Sequence, residues 1–595
     1  MTSRFFLNVE RSFLDRPWRS RLDSAGEARA LAIAQISGQG DMMARVLAGR
    51  GVGLDEVERY LDPTLRDLMP DPFTLQDMEP AIARLVHAVR RQEKIAIFGD
   101  YDVDGATSAA LLAQFLRDCG CETIVHIPDR IVEGYGPNGE AMRAFAAQGA
   151  SLVVTVDCGI VSFEPFALAK KLGLDVVVFD HHQAPEILPE ALALVDPNRQ
   201  DDLSGLGYLC AAGVVFMALV ALNRALRAEG FWQGRQAPDL LAGLDLVALG
   251  TVADVVPLTG LNRAFVVKGL AIMRARQRPG LTALLDIAGA DGPPRPYHLG
   301  FLVGPRINAG GRIGDASLGV KLLMTRDEFE ARAIAAKLDK LNRERQAMEQ
   351  VTLEHAEAEA LALLGPDDQG ASLVVAGIGW PPGIVGLIAA RLKERFSRPA
   401  FALALNGAEA TGSGRSVPGV DLGRVVRAAV ESGLLVKGGG HAMAAGVTLA
   451  SARIAEFRAF LDSRLATSIA AARENVGLEI DAALSAGAAS VDLVEAIESA
   501  GPYGSGNPEP VFAFASHRLV DVAPVGADHL RLRAVAPDNS KLEAIAFRVA
   551  TGPLGAALLA SRGELVHLAG ALTINRYGGR SKAQLRLMDA ARVKS

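Results

Sequence analysis

Val176-Val177-Val178-Phe179-Asp180-His181-His182 sets four apolar residues against an acid and two imidazoles. A short β-branched run of this kind reads as a buried strand of a parallel sheet. Three further acidic clusters also follow apolar runs. Upstream is Ile97-Phe98-Gly99-Asp100-Tyr101-Asp102-Val103-Asp104-Gly105, between lies Val153-Val154-Thr155-Val156-Asp157-Cys158-Gly159, and downstream comes Gly250-Thr251-Val252-Ala253-Asp254. Each acid is expected at a strand end, and open α/β sheets bind ligands beyond the carboxyl ends of their strands. One such Asp is ordinarily a helix N-cap, and paired histidines ordinarily face solvent. Four coincident clusters ask for more: carboxylates so close repel unless a cation holds them. Hard divalent ions take oxygen and imidazole ligands, so the spacing predicts a metal site, binuclear, suited to phosphoester hydrolysis. Asp100, Asp102 and Asp104 alternate and are expected on one face of a strand. A helix from Ala106 to Arg117 should follow, with an anion-favouring N-terminus.

At 595 residues the chain exceeds the roughly 250–300 residues of a single core. Its start lacks the apolar stretch of a signal peptide. The run from Leu209 to Leu222 is shorter than the ~18–20 residues that span a bilayer. Four cysteines (Cys119, Cys121, Cys158 and Cys210) match no zinc spacing and suit a reducing compartment. A cytoplasmic protein is expected, with no membrane association. Net charge is −6, yet from Ser516 to Ser595 twelve Lys/Arg face six Asp/Glu. That local excess suits a phosphate-binding module or a solvated surface.

Short amphipathic stretches open the chain, and strand–helix alternation follows from about 80 to 320, the mark of a doubly wound parallel sheet. From Arg326 to Leu364 neither Gly nor Pro occurs; one helix there would be roughly 55–60 Å long. Apolar heptads are not sustained, so it reads as a connector rather than a coiled coil. Alternation resumes from about 370 to 468. Five strands follow: Val511 to Val525, His529 to Val535, Lys541 to Val549, Glu564 to Ile574 and Lys582 to Met588. They predict a small OB-like barrel.

The set G-D-Y-D-V-D-G, V-D-C-G, D-H-H and G-T-V-A-D resembles the four motifs of the DHH phosphoesterase superfamily. Gly304-Pro305-Arg306-Ile307-Asn308-Ala309-Gly310-Gly311-Arg312, Trp380-Pro381-Pro382-Gly383-Ile384-Val385-Gly386, Gly438-Gly439-Gly440-His441 and Tyr503-Gly504-Ser505-Gly506-Asn507-Pro508-Glu509-Pro510 narrow the resemblance. It extends across nearly the whole chain to the RecJ family of bacterial 5′→3′ exonucleases specific for single-stranded DNA, which act in recombination and repair and release mononucleotides. The resemblance implies an N-terminal helical preface over 1–78, a DHH catalytic domain over 79–322, a connector helix over 323–366, a DHH-associated substrate-binding domain over 367–468 and an OB-like nucleic-acid-binding domain over 469–595.

It also implies that Asp102, Asp104, Asp157, His181 and Asp254 hold two Mn²⁺ or Mg²⁺ ions, with Asp157 bridging and His182 facing the scissile phosphate. Asp100 and Asp180 are expected behind the ligands or in turns. Phe98 stands where related pyrophosphatases carry a His, so a weak first metal site is expected. Arg130, Ser413 and Arg415 are implied as the pocket for a terminal 5′-phosphate. Arg306 and Arg312, on a Gly-rich loop, and His441, on a Gly-rich turn, are further substrate-contact candidates. Pro381 and Gly310 depart from the family pattern at positions away from the ligands. A single-strand-binding protein and a RecQ-type helicase are the partners implied, for a monomer.

Two other readings compete. Small DHH phosphodiesterases resemble only the two central domains. A non-catalytic scaffold related to the replication helicase would have lost its ligands, and here every ligand motif stands complete.

Overall fold

Ile95–Gly99 (β1), Thr123–His126 (β2), Leu152–Val156 (β3), Asp175–Phe179 (β4) and Ala193–Val195 (β5) form a five-stranded sheet in the order β2-β1-β3-β4-β5. All its pairings are parallel. Every residue of β1 and β3 is buried, which is why these strands read as unbroken apolar runs. Sequence order reverses between β1 and β3, so a crevice opens at their carboxyl ends. The computed structural model describes residues 5–129, 133–290, 292–365, 370–474, 477–577 and 580–593. Two compact units emerge, residues 68–474 and residues 1–67 together with 475–595.

In the larger unit, helices Val103–Asp118 (α1) and Ala211–Ala228 (α2) pack on the parallel sheet and on each other, and Leu244–Ala253 (α3) packs on both helices. Among the described residues α2 is the one helix long and apolar enough to cross a membrane, and most of it is buried. Gly304–Ile313 (α4) packs against the 37-residue helix Glu328–Leu364 (α5). Asp327 caps α5 by accepting the amides of Phe329 and Glu330. A second five-stranded sheet follows, built from Leu373–Ile378 (β6), Ala400–Asn406 (β7), Glu409–Arg415 (β8), Lys437–His441 (β9) and Ala444–Ala450 (β10). Its order is β9-β10-β8-β7-β6, parallel only between β6 and β7. Helix Val385–Phe396 (α6) lies on it.

In the smaller unit Phe512–Val525 (β11), His529–Val535 (β12), Lys541–Ala546 (β13), Leu565–Tyr577 (β14) and Arg580–Arg592 (β15) pair in the order β11-β12-β13-β15-β14. β14 also pairs with β11, which closes a five-stranded barrel as the turn spacing predicted. The opening helices Ser24–Ser37 and Asp41–Gly49 belong here. Ile33, Met43 and Leu47 share a core with Leu484, Phe514, Leu532 and Leu568. The first 67 residues therefore belong to the barrel unit.

Three local expectations need correction. Asp254 follows a helix, α3, because an apolar run as short as Val247 to Ala253 has no period that separates helix from strand. Gly304 to Arg312 is helical (α4) rather than a loop, with Pro305 in its first turn, where a missing N–H costs nothing. Gly438 to His441 forms strand β9, an edge of the second sheet, rather than a turn.

Candidate active site

The first acidic cluster leaves β1 at Gly99 and enters α1 three residues earlier than expected, at Val103. Asp102 is the N-cap, accepting the amides of Asp104 and Gly105 at 2.9 and 3.1 Å. A Cβ at Gly105 would meet the carbonyl oxygen of Asp100 at 2.4 Å, so this tight entry requires Gly. Asp104 lies inside the first helical turn and is buried. Its two oxygens accept the amides of Ala211 and Ala212 at 2.6 and 3.0 Å, the free donors at the start of α2. Gly250 of α3 clears the same carboxylate: a Cβ there would lie 2.6 Å from Asp104 Oδ1.

Asp157 follows β3 with φ of +61°, a left-handed conformation that Asp tolerates better than most residues. His181, beyond β4, brings Nε2 to 3.2 Å from Asp157 Oδ1, 3.7 Å from Asp254 Oδ2 and 3.8 Å from Asp104 Oδ2. The backbone of His181 is fixed by Asn198, whose side-chain amide donates to its carbonyl at 2.6 Å. Two ligand groups thus meet. Asp104, His181 and Asp254 form one, and Asp100, Asp102 and Asp157 the other. Asp157 also lies with His181 and His182. Asp100 stands in the cluster itself, where the sequence reading set it behind the ligands, and it supplies a carboxylate on the side where Phe98 offers none. Phe98 is buried against His126, ring centroids 5.3 Å apart.

The electrostatics fit a divalent metal site. Burial, then the neighbouring carboxylates, pushes the pKa of Asp157 and Asp254 well above the usual range. Burial also raises that of Asp104 and lowers that of His181. His181 Nε2 is buried without a hydrogen bond, although acidic oxygens surround it. An orphaned imidazole nitrogen beside repelling carboxylates is costly, and a divalent cation relieves both penalties. Burial and the nearby Asp100 and Asp180 hold the Cys158 thiol protonated, so the donor set is oxygen and nitrogen, suited to Mn²⁺ or Mg²⁺.

Asp180 and His182 form a second layer. Asp180 accepts the amides of Ile160, His181 and His182 and lies 2.7 Å from His182 Nδ1. Burial opposes its ionisation, but these bonds and the two imidazoles bring its pKa down to about 2. Burial likewise works against a charged His182, yet Asp180, Asp100 and Asp254 push its pKa up to about 9. His182 Nε2 lies 3.3 Å from the Tyr135 hydroxyl. Tyr135 was not singled out from the sequence; its only signal was the Gly134-Tyr135-Gly136 turn beside the implied Arg130. Asp196 was also missed: burial and the charge of Asp180 raise its pKa to about 7, and it accepts the Asn198 amide at 2.7 Å.

Of the substrate-contact candidates, Arg130 lies outside the described residues. Ser413 and Arg415 share β8, side chains on one face. Both come against the start of α6: a Cβ at Gly386 would lie 3.1 Å from Arg415 Nη2 and 3.5 Å from Ser413 Oγ. Guanidinium, hydroxyl and a helix N-terminus are groups of the kind that bind anions; Arg415 Nη1 also donates to the Gly414 carbonyl at 2.9 Å. Burial, followed by the charges of Arg415 and His182, lowers the pKa of His441. Arg306 has an internal role: it donates to the buried Asp339 of α5 at 3.0 Å and to the Leu302 carbonyl. Arg312 donates to the Gly383 carbonyl at 2.9 Å, joining α4 to the segment before α6. Gly310 lies close to the following chain, where a Cβ would meet the Asp315 carbonyl at 2.9 Å. The Pro381 carbonyl accepts the Ile384 amide.

The chain matches three family models: the DHH family N-terminal domain over residues 94–251, the DHHA1 domain over 370–467 and the RecJ OB domain over 480–589. It is 37% identical to the single-stranded-DNA-specific exonuclease RecJ of Salmonella typhimurium over 92% of this chain and 95% of that protein. Identity to the Escherichia coli RecJ is 36%, over 91% of this chain and 94% of the other. The crystal structure of RecJ in complex with Mn²⁺ from Thermus thermophilus superposes with a TM-score of 0.78 at 28% identity, over 97% of this chain and 80% of that one. A second structure of the Thermus protein, with Mg²⁺, gives 0.73 over 97% and 79%. With its motifs, its three domains and its carboxylate–imidazole cluster in agreement, the chain belongs to the RecJ family of single-stranded-DNA-specific exonucleases.

Proposed function

We propose that this protein degrades single-stranded DNA from the 5′ end, releasing 5′-mononucleotides, in the cytoplasm during recombination and repair. The observation that supports the reading is that Ser413 and Arg415 come together at the start of α6, a grouping suited to a terminal phosphate. With the terminal phosphate held there, the first internucleotide linkage would be the one presented for cleavage.

Asp102, Asp104, Asp157, His181 and Asp254, with Asp100, would hold two Mn²⁺ or Mg²⁺ ions, Asp157 shared between them. Such a pair lowers the pKa of water and steadies charge on phosphoryl oxygens. The protein supplies the rest. Arg415 and Ser413 orient the terminal phosphate, and Asp104, fixed by two amides of α2, does not swing as the substrate arrives. His182, held charged by Asp180, faces the scissile phosphate. As the P–O bond from the attacking water forms and the P–O3′ bond breaks, His182 delivers its proton to the departing O3′.

The test is purified protein with 5′- and 3′-end-labelled strands and a Mn²⁺ and Mg²⁺ titration. Label released from the 5′ end as mononucleotide, only with a divalent ion and only from single strands, supports the reading. Internal cuts, or release from the 3′ end, overturn it.

A further inference from the structure

A short π-helix, His298–Val303, precedes α4, and π-turns of this kind concentrate at functional sites. Its inward face is accounted for: Leu299 and Val303 are fully buried. Its outward face carries Phe301, with Tyr297 stacked on it, ring centroids 5.2 Å apart and planes inclined by 22°. Phe301 is 69% exposed and Tyr297 59%. Isolated exposed aromatics need no explanation. Among the described residues, however, this is the one aromatic pair in stacked geometry, and both of its rings face solvent.

The π-helix packs beside the metal ligands. A Cβ at Gly300 would touch Val252 at 3.5 Å, and one at Gly304 would lie 3.5 Å from Ala253 and 3.9 Å from Val103. Val252 and Ala253 are the last turn before Asp254, and Val103 lies between Asp102 and Asp104. The helix that carries the pair is thus packed against the turns that bear Asp102, Asp104 and Asp254. Apolar rings beside an acidic, phosphate-handling centre suit a ligand with flat apolar faces on a charged backbone. In the barrel Phe512 and Phe514 are buried in the core, and the half-exposed Phe547 meets His529 edge to face rather than in a stack.

From this placement we infer that Phe301 and Tyr297 form a stacking platform for nucleobases of the single strand near the cleavage point, a base-binding subsite separate from the phosphate pocket. The inference rests on the proposed single-stranded DNA substrate. Aromatic stacking tolerates every base because each has a π-face, so the platform grips without reading sequence.

The experiment uses full-length Phe301→Ala and Tyr297→Ala, with Phe301→Trp as the restoring variant. Substrates are 5′-phosphorylated oligonucleotides carrying one abasic site at successive positions from the 5′ end. Unchanged melting temperature and Mn²⁺ affinity establish that the exposed substitutions leave the fold intact. For the intact protein, an abasic site at one or two particular positions should raise KM about 5- to 100-fold, the range for one lost stack. Phe301→Ala should raise KM on the unmodified strand by a similar factor, with a smaller change in kcat. The abasic penalty should vanish in that variant and return in Phe301→Trp. An abasic penalty that survives in Phe301→Ala, or unchanged KM in both alanine variants, overturns the platform and leaves the patch to a protein partner. Failure of the intact protein to cut any single strand would instead overturn the substrate reading itself.

Discussion

Asp180 Oδ1 lies 2.7 Å from His182 Nδ1 and 2.8 Å from the amide of His181, so one buried carboxylate fixes both histidines. Groups behind a metal site typically carry 10- to 100-fold in activity or affinity. Asp180→Asn should therefore lower kcat by roughly 10- to 100-fold, with little change in KM for the strand. Fold and strand binding are retained, because Arg415 and the barrel are untouched. Equal kcat for variant and intact protein would remove His182 from the proton-delivery role.

Asp157→Asn should abolish hydrolysis while leaving DNA binding in place. Asn accepts the left-handed backbone at φ +61°, whereas Ala would add strain there, so Asn separates lost ligation from lost conformation. More than a few per cent of normal turnover at saturating Mn²⁺ would show that no shared carboxylate is needed.

Divalent ions should stabilise the fold, and more so as pH rises. The pKa values of Asp104, Asp157 and Asp254 are raised in the folded protein, so above the ordinary carboxylate value near ~3.9 the folded state holds more protons than the unfolded one. Stability of the metal-free protein then falls as pH climbs through that window. A bound cation favours the ionised carboxylates and removes the loss, contributing about 2.7 kcal/mol when present at 100 times its dissociation constant. The rise in melting temperature on adding Mn²⁺ should be larger at pH 8 than at pH 5. A rise independent of pH would count against the carboxylate cluster as the binding site.

What was legible in the sequence was local. Val153 to Val156 and Val176 to Phe179 declare buried strands by composition alone, and the acids that end them meet at the crevice where the sheet order reverses. Asp254 was expected at a strand end and follows a helix instead, because a run as short as Val247 to Ala253 has no period that separates the two. The alternation of Asp100 and Asp102 suggested a shared face, and their carboxylates do lie together with Asp157, although the chain has left the strand at Gly99 and Asp102 caps a helix. The opening helices were legible as helices; their partner was not. Ile33 and Leu47 find their core among Phe514, Leu532 and Leu568, at the far end of the chain, and no pattern short of pairing every segment with every other reveals that.

Strands bearing a 5′-phosphate should be cut faster than 5′-hydroxyl strands, and Arg415→Ala should erase that preference before it erases activity. Lys does not reproduce the planar fork that grips phosphate oxygens, so Arg415→Lys should restore only part of it. Equal rates on the two strands with the intact protein would leave the pocket without a terminal phosphate to bind.

The barrel should supply grip rather than chemistry, and the fold dictates how to remove it. Truncation after Leu465 alone would strand the opening helices, leaving Ile33, Met43 and Leu47 without the apolar partners that bury them. Residues 68–474 form a compact unit of their own and contain every candidate ligand. This fragment should keep divalent-dependent cleavage of very short oligonucleotides. On the barrel, Arg531, Arg576 and Arg580 are exposed, whereas Arg533 is paired with Asp521 at 2.9 Å and Lys582 with Glu543 at 3.5 Å. The three exposed arginines are the first to meet backbone phosphates, and each contact on a single strand contributes about −0.7 to the slope of log affinity against log salt. Replacing all three by Gln in the full chain should flatten that slope by roughly 2, and the 68–474 fragment should lose most of the remainder. If the fragment binds a long single strand as tightly as the full chain at the same salt, the barrel's charge serves something other than DNA.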